Sequence, residues 1–518
     1  MACIPISQVR VSLVVYLSVC CLFACTKADN EETKPWFGLA LPPGLGNPHA
    51  PVVDVSSAQP APVTVPDDET NFSELQGERI QAYVREIVNI AVQDRDNGSK
   101  VWGRVTGFPS GKAAIDWSAE QFRAAGLQDV AIQTFPSSGE MWWATDWQVT
   151  LNGSNLFGNG SEDIILETAL PTSESMIDGT IKANVVNVGP ITEPIPNTDI
   201  TGKIAVQIVK PERSAYSERT PTRERAQQLM AQGALAVINV VIQTGNMHVR
   251  DFSNCNGPCF NLGTQDGEFL LAAINAAEAA GMLDELTMEL SLQAKVRSDL
   301  NGHNVIGYLP GRGSEENMII NAHVDGWFDA AGDNADGLAV LVAMAKHFAM
   351  PEHQLERGLV FVASGGHHSR GLNGPSNVVS MNPKLLSKSV MMLNLEHIAQ
   401  FTINPSNWTI ENTEQSMSFG VSNDSPVLID IAREGMARYG FNLNPEFRNA
   451  VPGDPGGYRP LGIARVEAIH SGPMYHTSGD VFETISVPGL ERAARFFTFF
   501  VSQTDKYTWE EIGRESTD

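Results

Sequence analysis

Cysteine is scarce in this chain of 518 residues, and four of its six cysteines fall within the first 25 positions. Positive charge is scarce as well, because 35 lysines and arginines stand against 60 aspartates and glutamates and leave a formal net charge of −25. A surface of this sign repels nucleic acid phosphates and offers no basic patch to anionic lipids. The composition therefore argues against nucleic acid as a partner and against attachment of the folded part to a membrane by charge.

Several common enzyme motifs are also missing. The chain has no GxSxG sequence, which would indicate a serine nucleophile, and no cysteine and histidine pattern of a thiol enzyme. It has no GxGxxG or GxxxxGKS/T sequence ahead of a helix, so nothing indicates a nucleotide site. What remains is a large chain with 42% hydrophobic residues, which is enough for two domains with full cores.

The first 24 residues are typical of a signal peptide. One positive charge at Arg10 precedes an apolar stretch, residues 11–24, that is too short to span a bilayer comfortably. The closing sequence LFAC resembles a bacterial lipobox, which implies a lipid anchor on Cys25 as the only membrane attachment, in the outer membrane or periplasm. Phenylalanine is unusual in that motif, so plain secretion is the competing interpretation. Residues 25–68 contain eight prolines and indicate a tether.

Two cysteines remain for the folded part of the chain, Cys255 and Cys259, in the sequence CNGPC. An exported protein meets an oxidising compartment, so a small disulfide loop is the first expectation. Two free thiols are the alternative. A CxxxC sequence without partner cysteines or nearby histidines is a poor zinc site.

The stretch of residues 317–346 carries the densest chemistry. Its apolar start predicts a buried parallel strand that ends at His323 and Asp325, and helical spacing of apolar residues at 335–349 predicts the following helix. Because alternate strand residues face the same way, we expect Asp325 to accept the second ring N–H of His323. Asp333 is expected at the helix N-terminus, where negative charge is favoured. A plain crossover with solvated acids is the alternative for the HxD pair alone.

The HVD sequence followed by DNADG ahead of a helix resembles the signature of peptidase family M28, the co-catalytic zinc aminopeptidases and carboxypeptidases. The likeness extends over roughly residues 70–505. It implies an α/β fold with a mostly parallel central sheet flanked by helices. It also implies that His323 binds one zinc ion, that Asp333 bridges two, and that Asp325 supports His323.

One part of the family pattern is altered. The predicted strand 358–364 ends in GGHHSRGL, where the family has a Glu-Glu pair and then Gly-Leu, with the first glutamate as general base and the second as a metal ligand. His367 and His368 stand closest to that pair, with one extra residue before Gly371, so the register is open by one residue. We assign proton transfer to His367 and metal binding to His368.

The exchange of carboxylate for imidazole has two opposite consequences. A neutral imidazole binds zinc, and its ordinary pKa of about 6.5 suits a general base near neutral pH. Loss of negative charge, however, weakens the second metal and alters the pKa of its bound water. The sequence therefore leaves open one or two zinc ions, an altered enzyme, and a pseudoenzyme.

Two more segments complete the likeness. A predicted strand at 389–395 ends at Glu396, where the family has an aspartate as third ligand of the first metal, and the sequence YHTSGD places His476 as the ligand of the other metal. Asp480 is expected to hold that loop, and residues 453–457 are expected to shape the substrate rim. We expect His397 to support the site or to be buried. The histidines outside the ligand pattern are expected to be structural, namely His303, His347 and His353.

The resemblance divides the chain into a first peptidase part at 69–150, a β-rich insert at 151–300 that resembles a protease-associated domain, and the main peptidase part at 301–510. Such an insert implies a role in access to the site or in binding a protein partner. Trp142 and Trp143, just before it, are expected to pack between domains.

The leading hypothesis is an exported metal-dependent hydrolase of peptide or amide bonds, most simply an exopeptidase acting on a peptide or aminoacyl substrate. Its altered metal and base motif leaves a second hypothesis, a catalytically inactive binding or scaffold protein of the cell envelope. The retained ligand pattern favours the first hypothesis, and the missing Glu-Glu pair favours the second.

Overall fold

The computed structural model describes residues 34–42, 55, 58–153, 157–158, 160–250, 254–404, 409–444 and 447–515. The predicted signal segment, the predicted lipid site at Cys25 and part of the predicted tether lie outside these residues. Within the described ranges, no helix combines the length and the apolar character needed to cross a membrane.

The described residues form ten α-helices and nineteen strands. The helices are α1 (Gly77–Asp96), α2 (Pro109–Ala124), α3 (Arg219–Ala231), α4 (Thr264–Ala279), α5 (Asp336–Phe348), α6 (Gly374–Met381), α7 (Pro383–Leu386), α8 (Pro426–Tyr439), α9 (Val487–Thr504) and α10 (Trp509–Ile512). The strands are β1 (Gly103–Arg104), β2 (Gln128–Pro136), β3 (Met141–Asn152), β4 (Ile164–Ile165), β5 (Leu170–Pro171), β6 (Ile181–Pro190), β7 (Ile204–Val209), β8 (Ala236–Val241), β9 (Cys259–Leu262), β10 (Thr287–Arg297), β11 (Asn301–Leu309), β12 (Asn317–His323), β13 (Gly326–Trp327), β14 (Gly358–Ser364), β15 (Ser389–Leu395), β16 (Phe401–Ile403), β17 (Ile410–Glu414), β18 (Ser418–Val421) and β19 (Ala464–Ile469).

A seven-stranded sheet in the order β18-β19-β15-β12-β14-β11-β2 forms the centre of the molecule. Its four middle strands are parallel, whereas β18, β11 and β2 at the two edges run antiparallel to their neighbours. Met318 and Ile320 of β12 face one hydrophobic core, and Ile319 faces another on the opposite side. Burial on both faces explains the continuous apolar run in the sequence. The predicted α/β fold with a mostly parallel central sheet is confirmed.

Helices cover both faces of this sheet. Residues of α1, α2, α5, α8 and α9 pack on one side, and residues of α6 and α7 pack on the other. Helix α5 is buried almost all round, as its apolar middle part indicates. It begins directly after the turn that carries Asp333, so the core fixes the position of that turn.

A second, eight-stranded sheet is built from residues 141–297, between β2 and β11. It includes residues 141–150, which the sequence assigned to the first peptidase part, because β3 pairs with β10 along its whole length. Its identity as a protease-associated domain stays a prediction. Cys255 and Cys259 are joined by a disulfide within it, as expected.

Aromatic residues join the second sheet to the rest of the described chain. The ring of Trp143, on β3, lies 4.5 Å from that of Phe108 and 6.0 Å from that of Trp327, both outside the second sheet. The predicted packing between domains is confirmed for Trp143. Trp142 instead donates its indole N–H to the carbonyl of Ser175, 3.0 Å away, within the second domain.

Described pieces of the predicted tether are packed against the folded domains. Trp36 is buried, its ring lies 5.7 Å from that of Phe157, and its indole N–H donates to the carbonyl of Glu162 over 3.0 Å. Farther along, the carbonyl of Ala61 accepts a hydrogen bond from Arg492 over 2.9 Å. A large apolar ring gains more from burial than from exposure, so a free tether is the wrong description of these pieces.

His248 is expected to make the stability of the fold depend on pH. It joins the domains, since its backbone N–H donates to Ser478 over 3.0 Å and its Nδ1 lies 3.2 Å from the carbonyl of Thr168. Burial lowers its pKa to about 4. The unfolded chain, with a histidine pKa of about 6.5, takes up the proton first, so stability is lost as pH falls from about 6.5 to about 4, by about 3 kcal/mol from this residue.

The variant His248→Gln isolates this contribution. Urea unfolding of both proteins between pH 7 and 4 should show the free-energy advantage of the wild type shrinking by about that amount. A constant difference across this range would contradict the assignment.

Candidate metal centre

The carboxyl ends of neighbouring parallel strands meet at one edge of a sheet, where side chains of separate segments converge. His323 closes β12, the loop after β14 carries His367 and His368, and β15 is followed by Glu396. The turn before α5 and the loop after β19 add the last two predicted ligands. The structure thus brings all the predicted ligands into one cluster, namely His323, Asp333, His368, Glu396 and His476.

The carboxylate of Asp333 lies at the middle of the cluster. Its Oδ1 is 3.2 Å from Nε2 of His368, 3.5 Å from Nε2 of His323 and 3.0 Å from Nε2 of His397. Its Oδ2 is 3.2 Å from Nε2 of His476. One buried carboxylate is therefore surrounded by four imidazole rings.

His397 is nearer to the centre than the sequence indicated. A supporting or buried role is expected for it from the sequence, yet its Nε2 faces Asp333 while its Nδ1 donates to the carbonyl of His470. Burial opposes a positive charge on His397, but Asp333 and Glu396 outweigh that and raise its pKa to about 10. Without an ion, His397 and Asp333 form an ion pair. A bound metal would displace that proton.

Glu396 lies beside His323 and His367 in the cluster. Its Oε1 is 3.7 Å from Nε2 of His323 and 3.6 Å from Nε2 of His367, and Asn394 donates to its Oε2 over 2.8 Å. Burial favours the neutral acid, but the surrounding imidazoles of His367, His323 and His397 hold the pKa of Glu396 well below its usual range. Glu396 is therefore a carboxylate in place to bind a cation.

The donor atoms fit zinc. Among the described residues, Nε2 of His323 and Oδ2 of Asp333 are buried and make no hydrogen bond. Burial lowers the pKa of His368 to about 4, which keeps its imidazole in the neutral form that metals require. Imidazole nitrogens and carboxylate oxygens are the ligands of catalytic zinc. Two sets of such atoms share Asp333, one with His323 and His397 and the other with His368 and His476.

Asp325 holds a different partner from the one predicted. His323 donates its Nδ1–H to the backbone carbonyl of Asp325 over 2.9 Å, whereas the Asp325 carboxylate stays 3.9 Å from that nitrogen. The carboxylate instead accepts the backbone N–H groups of His367, over 3.2 Å, and His368, over 2.9 Å. The strand ends at His323, so strand alternation does not extend to Asp325. Its role is to fix the loop that carries the two histidines.

Other carboxylates fix the remaining loops in the same way. Asp480 is expected from the sequence to hold its own loop, around His476. Its carboxylate instead accepts the backbone N–H groups of Gly332 and Asp333, over 2.8 and 3.0 Å, and so holds the turn before α5. Asp336 accepts the backbone N–H groups of Ile398 and Ala399, over 2.9 and 2.8 Å. Burial raises the pKa of Asp336 and of Asp480 to about 7.

Asp454 orients His367. Its Oδ1 accepts the Nδ1–H of His367 over 2.9 Å, and its Oδ2 accepts hydrogen bonds from Ser364 and Asn321 over 2.7 and 3.1 Å. The sequence placed residues 453–457 at a substrate rim, but Asp454 is buried beneath the centre because these partners draw it inward. Burial opposes charge on His367, yet Glu396 and Asp454 raise its pKa well above the usual range.

Gly453 makes room for this arrangement. Its φ of +71° lies in the left-handed region, and a Cβ there would come within 3.2 Å of Cε1 of His367.

Arg104 is a supporting residue that the sequence did not reveal. It is fully buried, and its guanidinium donates to the carbonyls of Val324, Asp329 and Ala330 over 2.8 to 2.9 Å. A fourth contact reaches the carbonyl of Asp333 at 3.4 Å. The loop from Asp325 to Asp333 is therefore folded around the guanidinium of Arg104. A lone arginine near a short strand gives no sequence signal for such a role.

The second sheet's domain reaches the centre. The backbone N–H of Arg250 donates to the carbonyl of His476 over 2.9 Å, and the ring of Tyr216 lies 5.7 Å from the His476 ring. Beside the centre, Arg213 of that domain and His470 line a cavity of about 400 Å³. Residues of both domains therefore lie beside the centre.

One family model covers the part of the chain that carries the candidate centre. A family model described as Peptidase family M28 matches residues 304–501, which include the whole ligand cluster. No curated protein matches the chain.

Solved structures share the fold at low sequence identity. A zinc aminopeptidase from Bacillus subtilis, BSAP, is 19% identical with a TM-score of 0.59, over 85% of this chain and 99% of that chain. A peptidase M28 precursor from Shewanella amazonensis is 17% identical with a TM-score of 0.62, over 84% and 96%. An aminopeptidase from Aneurinibacillus sp. strain AM-1 is 18% identical with a TM-score of 0.51, over 87% and 98%. Residues 304–501 therefore match the model of Peptidase family M28, and the chain shares the fold of these solved structures.

Proposed function

We propose that this protein is a zinc-dependent exopeptidase that hydrolyses the peptide or amide bond next to a free terminus. The observation that carries the proposal is the position of Asp333, which belongs to two sets of candidate ligands at once. A carboxylate between two such sets suits two ions held side by side, as two-metal hydrolysis requires. The aminopeptidase names of the structural relatives support a free amino terminus as the group next to the cleaved bond.

Bound zinc would polarise the scissile carbonyl and lower the pKa of a water molecule. His323, Asp333 and Glu396 would hold one ion. Asp333, His368 and His476 would hold the other, and His397 could serve as a further ligand of either ion.

His367 is the residue that we assign to proton transfer. Its Nδ1–H is tied to Asp454, which fixes the ring orientation and the tautomer, and its Nε2 faces the cluster. In the ion-free protein the carboxylates raise its pKa, and a divalent cation beside Glu396 would oppose that positive charge. His367 is then positioned to take a proton from the attacking water and to return it to the leaving amine.

The second sheet's domain would control which substrates reach the centre. Tyr216 lies against Tyr475, with ring centroids 5.2 Å apart, and Tyr475 stacks on His476 at 3.7 Å. A row of two tyrosine rings, one from each domain, therefore packs against the predicted ligand His476. We assign this domain to access and recognition, for peptide substrates or for a protein partner.

Hydrolysis of aminoacyl 4-nitroanilides by the purified, zinc-equilibrated protein tests the proposal. We expect cleavage of substrates with a free amino group, little cleavage of their N-acetylated forms, and loss of activity with a chelator. His476→Ala and Glu396→Ala should each abolish activity and lower the zinc content, whereas His303→Gln, outside the cluster, should change neither. Unchanged zinc and unchanged hydrolysis in both site variants would refute the proposal.

A binding or scaffold protein is the second candidate function. The observation that favours it is the replacement of the family's Glu-Glu pair by His367 and His368. Against it stands the maintained support of those histidines, since Asp325 still accepts both of their backbone N–H groups. A protein that holds zinc but cleaves none of the aminoacyl or acidic dipeptide substrates would establish this alternative.

We also propose export with a lipid anchor at Cys25, supported by the signal-like residues 1–24. Cys25→Ser should move the protein from the membrane fraction to the soluble fraction. An unchanged distribution would contradict the anchor.

A further inference from the structure

A second group of metal-binding side chains lies at the opposite end of α5 from the candidate centre. Glu74, His347 and His353 place one possible ligand atom each within 4.8 Å of one another. The helix has 13 residues, so about 20 Å separates this group from the turn that carries Asp333. We propose that Glu74, His347 and His353 form a separate structural site for a zinc ion.

The three side chains come from separate segments. Glu74 belongs to a short 3₁₀ turn ahead of α1, His347 lies in the last turn of α5, and His353 ends the 3₁₀ turn that follows. Oε1 of Glu74 is 2.6 Å from Nδ1 of His347. The rings of His347 and His353 stack with centroids 4.0 Å apart and an interplanar angle of 11°.

A phenylalanine ring packs against both histidines of the group. Phe72 contacts His347 edge to face at 4.8 Å and His353 at 4.7 Å. Glu74 and His347 are buried, while His353 is only half-buried and lines a surface cavity with Glu352. Two of the candidate ligands, Glu74 and His347, are thus held in place in a low-dielectric environment. The third, His353, is at the surface, where an ion can enter.

The charge states suit a metal. Burial opposes ionisation of Glu74, but its hydrogen bond with His347 holds its pKa below the usual range. Burial and the neighbouring His347 lower the pKa of His353, which leaves its imidazole neutral. Two imidazole nitrogens and one carboxylate oxygen, with a water molecule as fourth ligand, form a known zinc set. The nitrogen lone pairs of two stacked imidazole rings lie in parallel planes, so they do not converge on one ion. Zinc binding therefore requires the half-buried His353 ring to turn out of the stack.

A plain ion pair between Glu74 and His347 is the competing account. It explains the 2.6 Å contact but gives His353 no role beyond stacking. Zinc would join all three segments and so fasten the chain entering α1 to the end of α5. The site would act on stability, and its existence does not depend on the proposed activity.

Zinc counting at a fixed free zinc concentration tests the proposal. Equilibrium dialysis followed by mass spectrometry should find about one zinc ion per chain fewer in His353→Gln and in Glu74→Gln than in the wild type. Glu74→Gln keeps the size of the side chain and its ability to accept a hydrogen bond, so it removes charge with little change in packing. His303→Gln, another half-buried histidine outside the centre, is the matched control and should keep the full count.

The same comparison in the His476→Ala background separates this site from the centre. The difference of about one zinc ion should persist there, because the two groups share no residue. Equal zinc counts in the wild type, His353→Gln and Glu74→Gln would overturn the proposal. So would a difference that disappears in the His476→Ala background.

Discussion

Replacing Arg104 by methionine is expected to lower the free energy of unfolding by about 3–5 kcal/mol, the usual cost of removing one partner of a buried ion pair, because the buried carboxylate of Asp333 loses a cation that attracts it. The guanidinium donates to the carbonyls of Val324, Asp329 and Ala330 at the centre of the fold. Methionine fills much of the volume but leaves these carbonyls without donors. Because the loop carries Asp325 and Asp333, zinc affinity should fall together with stability.

Two further variants make the result specific. Arg104→Lys keeps the charge but loses the planar fork, so we expect it to recover only part of the stability. Arg433→Met removes an exposed arginine that pairs with Asp430 at 3.1 Å, and a surface pair of this kind is worth about 1 kcal/mol or less. Urea unfolding followed by tryptophan fluorescence measures all three. Similar losses for Arg104→Met and Arg433→Met would show that Arg104 does not hold the loop.

His367→Gln is expected to lower kcat by about 10²–10⁴-fold, the usual contribution of a positioned acid or base. KM and zinc content should change little, because His367 lies beside the predicted ligand set. Asp454→Asn tests the orientation of the ring separately. It keeps a hydrogen-bond acceptor but removes the charge that helps to raise the pKa of His367, so it should lower kcat less and shift its pH profile.

Each result that would contradict these expectations has its own interpretation. Full kcat in His367→Gln would mean that another group transfers the proton. Loss of zinc from this variant would make His367 a ligand, a role that its position 3.6 Å from Glu396 also permits geometrically. Loss of zinc from Asp454→Asn alone would indicate a structural role for that carboxylate.

The sequence predicts the sheet well, and the reason is physical. The run from Met318 to Ile320 is apolar at every position because both faces of β12 are covered. The apolar residues at helical spacing that follow predict a helix at 335–349, and both bounds agree with those of α5 to within one residue. The tether was harder to interpret. Its prolines indicate extended chain, but nothing local tells whether a single ring such as Trp36 finds a pocket in a domain more than a hundred residues away.

The candidate ligands could be identified because each follows a recognisable strand end or turn. The supporting residues could not, since Arg104 meets its carbonyls across more than two hundred residues, and Asp454 meets His367 across 87. Asp325 shows the limit of periodicity, because strand alternation assigns its side chain to His323 although the strand has already ended. The missing Glu-Glu pair could be recognised from the sequence, but the position of His397 against Asp333 required the folded chain.

Zinc content is the most direct test of the central claim, that Asp333 organises a metal centre. The test compares His353→Gln, in which only the centre should bind zinc, with the same variant carrying Asp333→Asn. We expect about one to two zinc ions per chain in the first protein and almost none in the second. No zinc in the first protein, or equal zinc in both, would contradict the account.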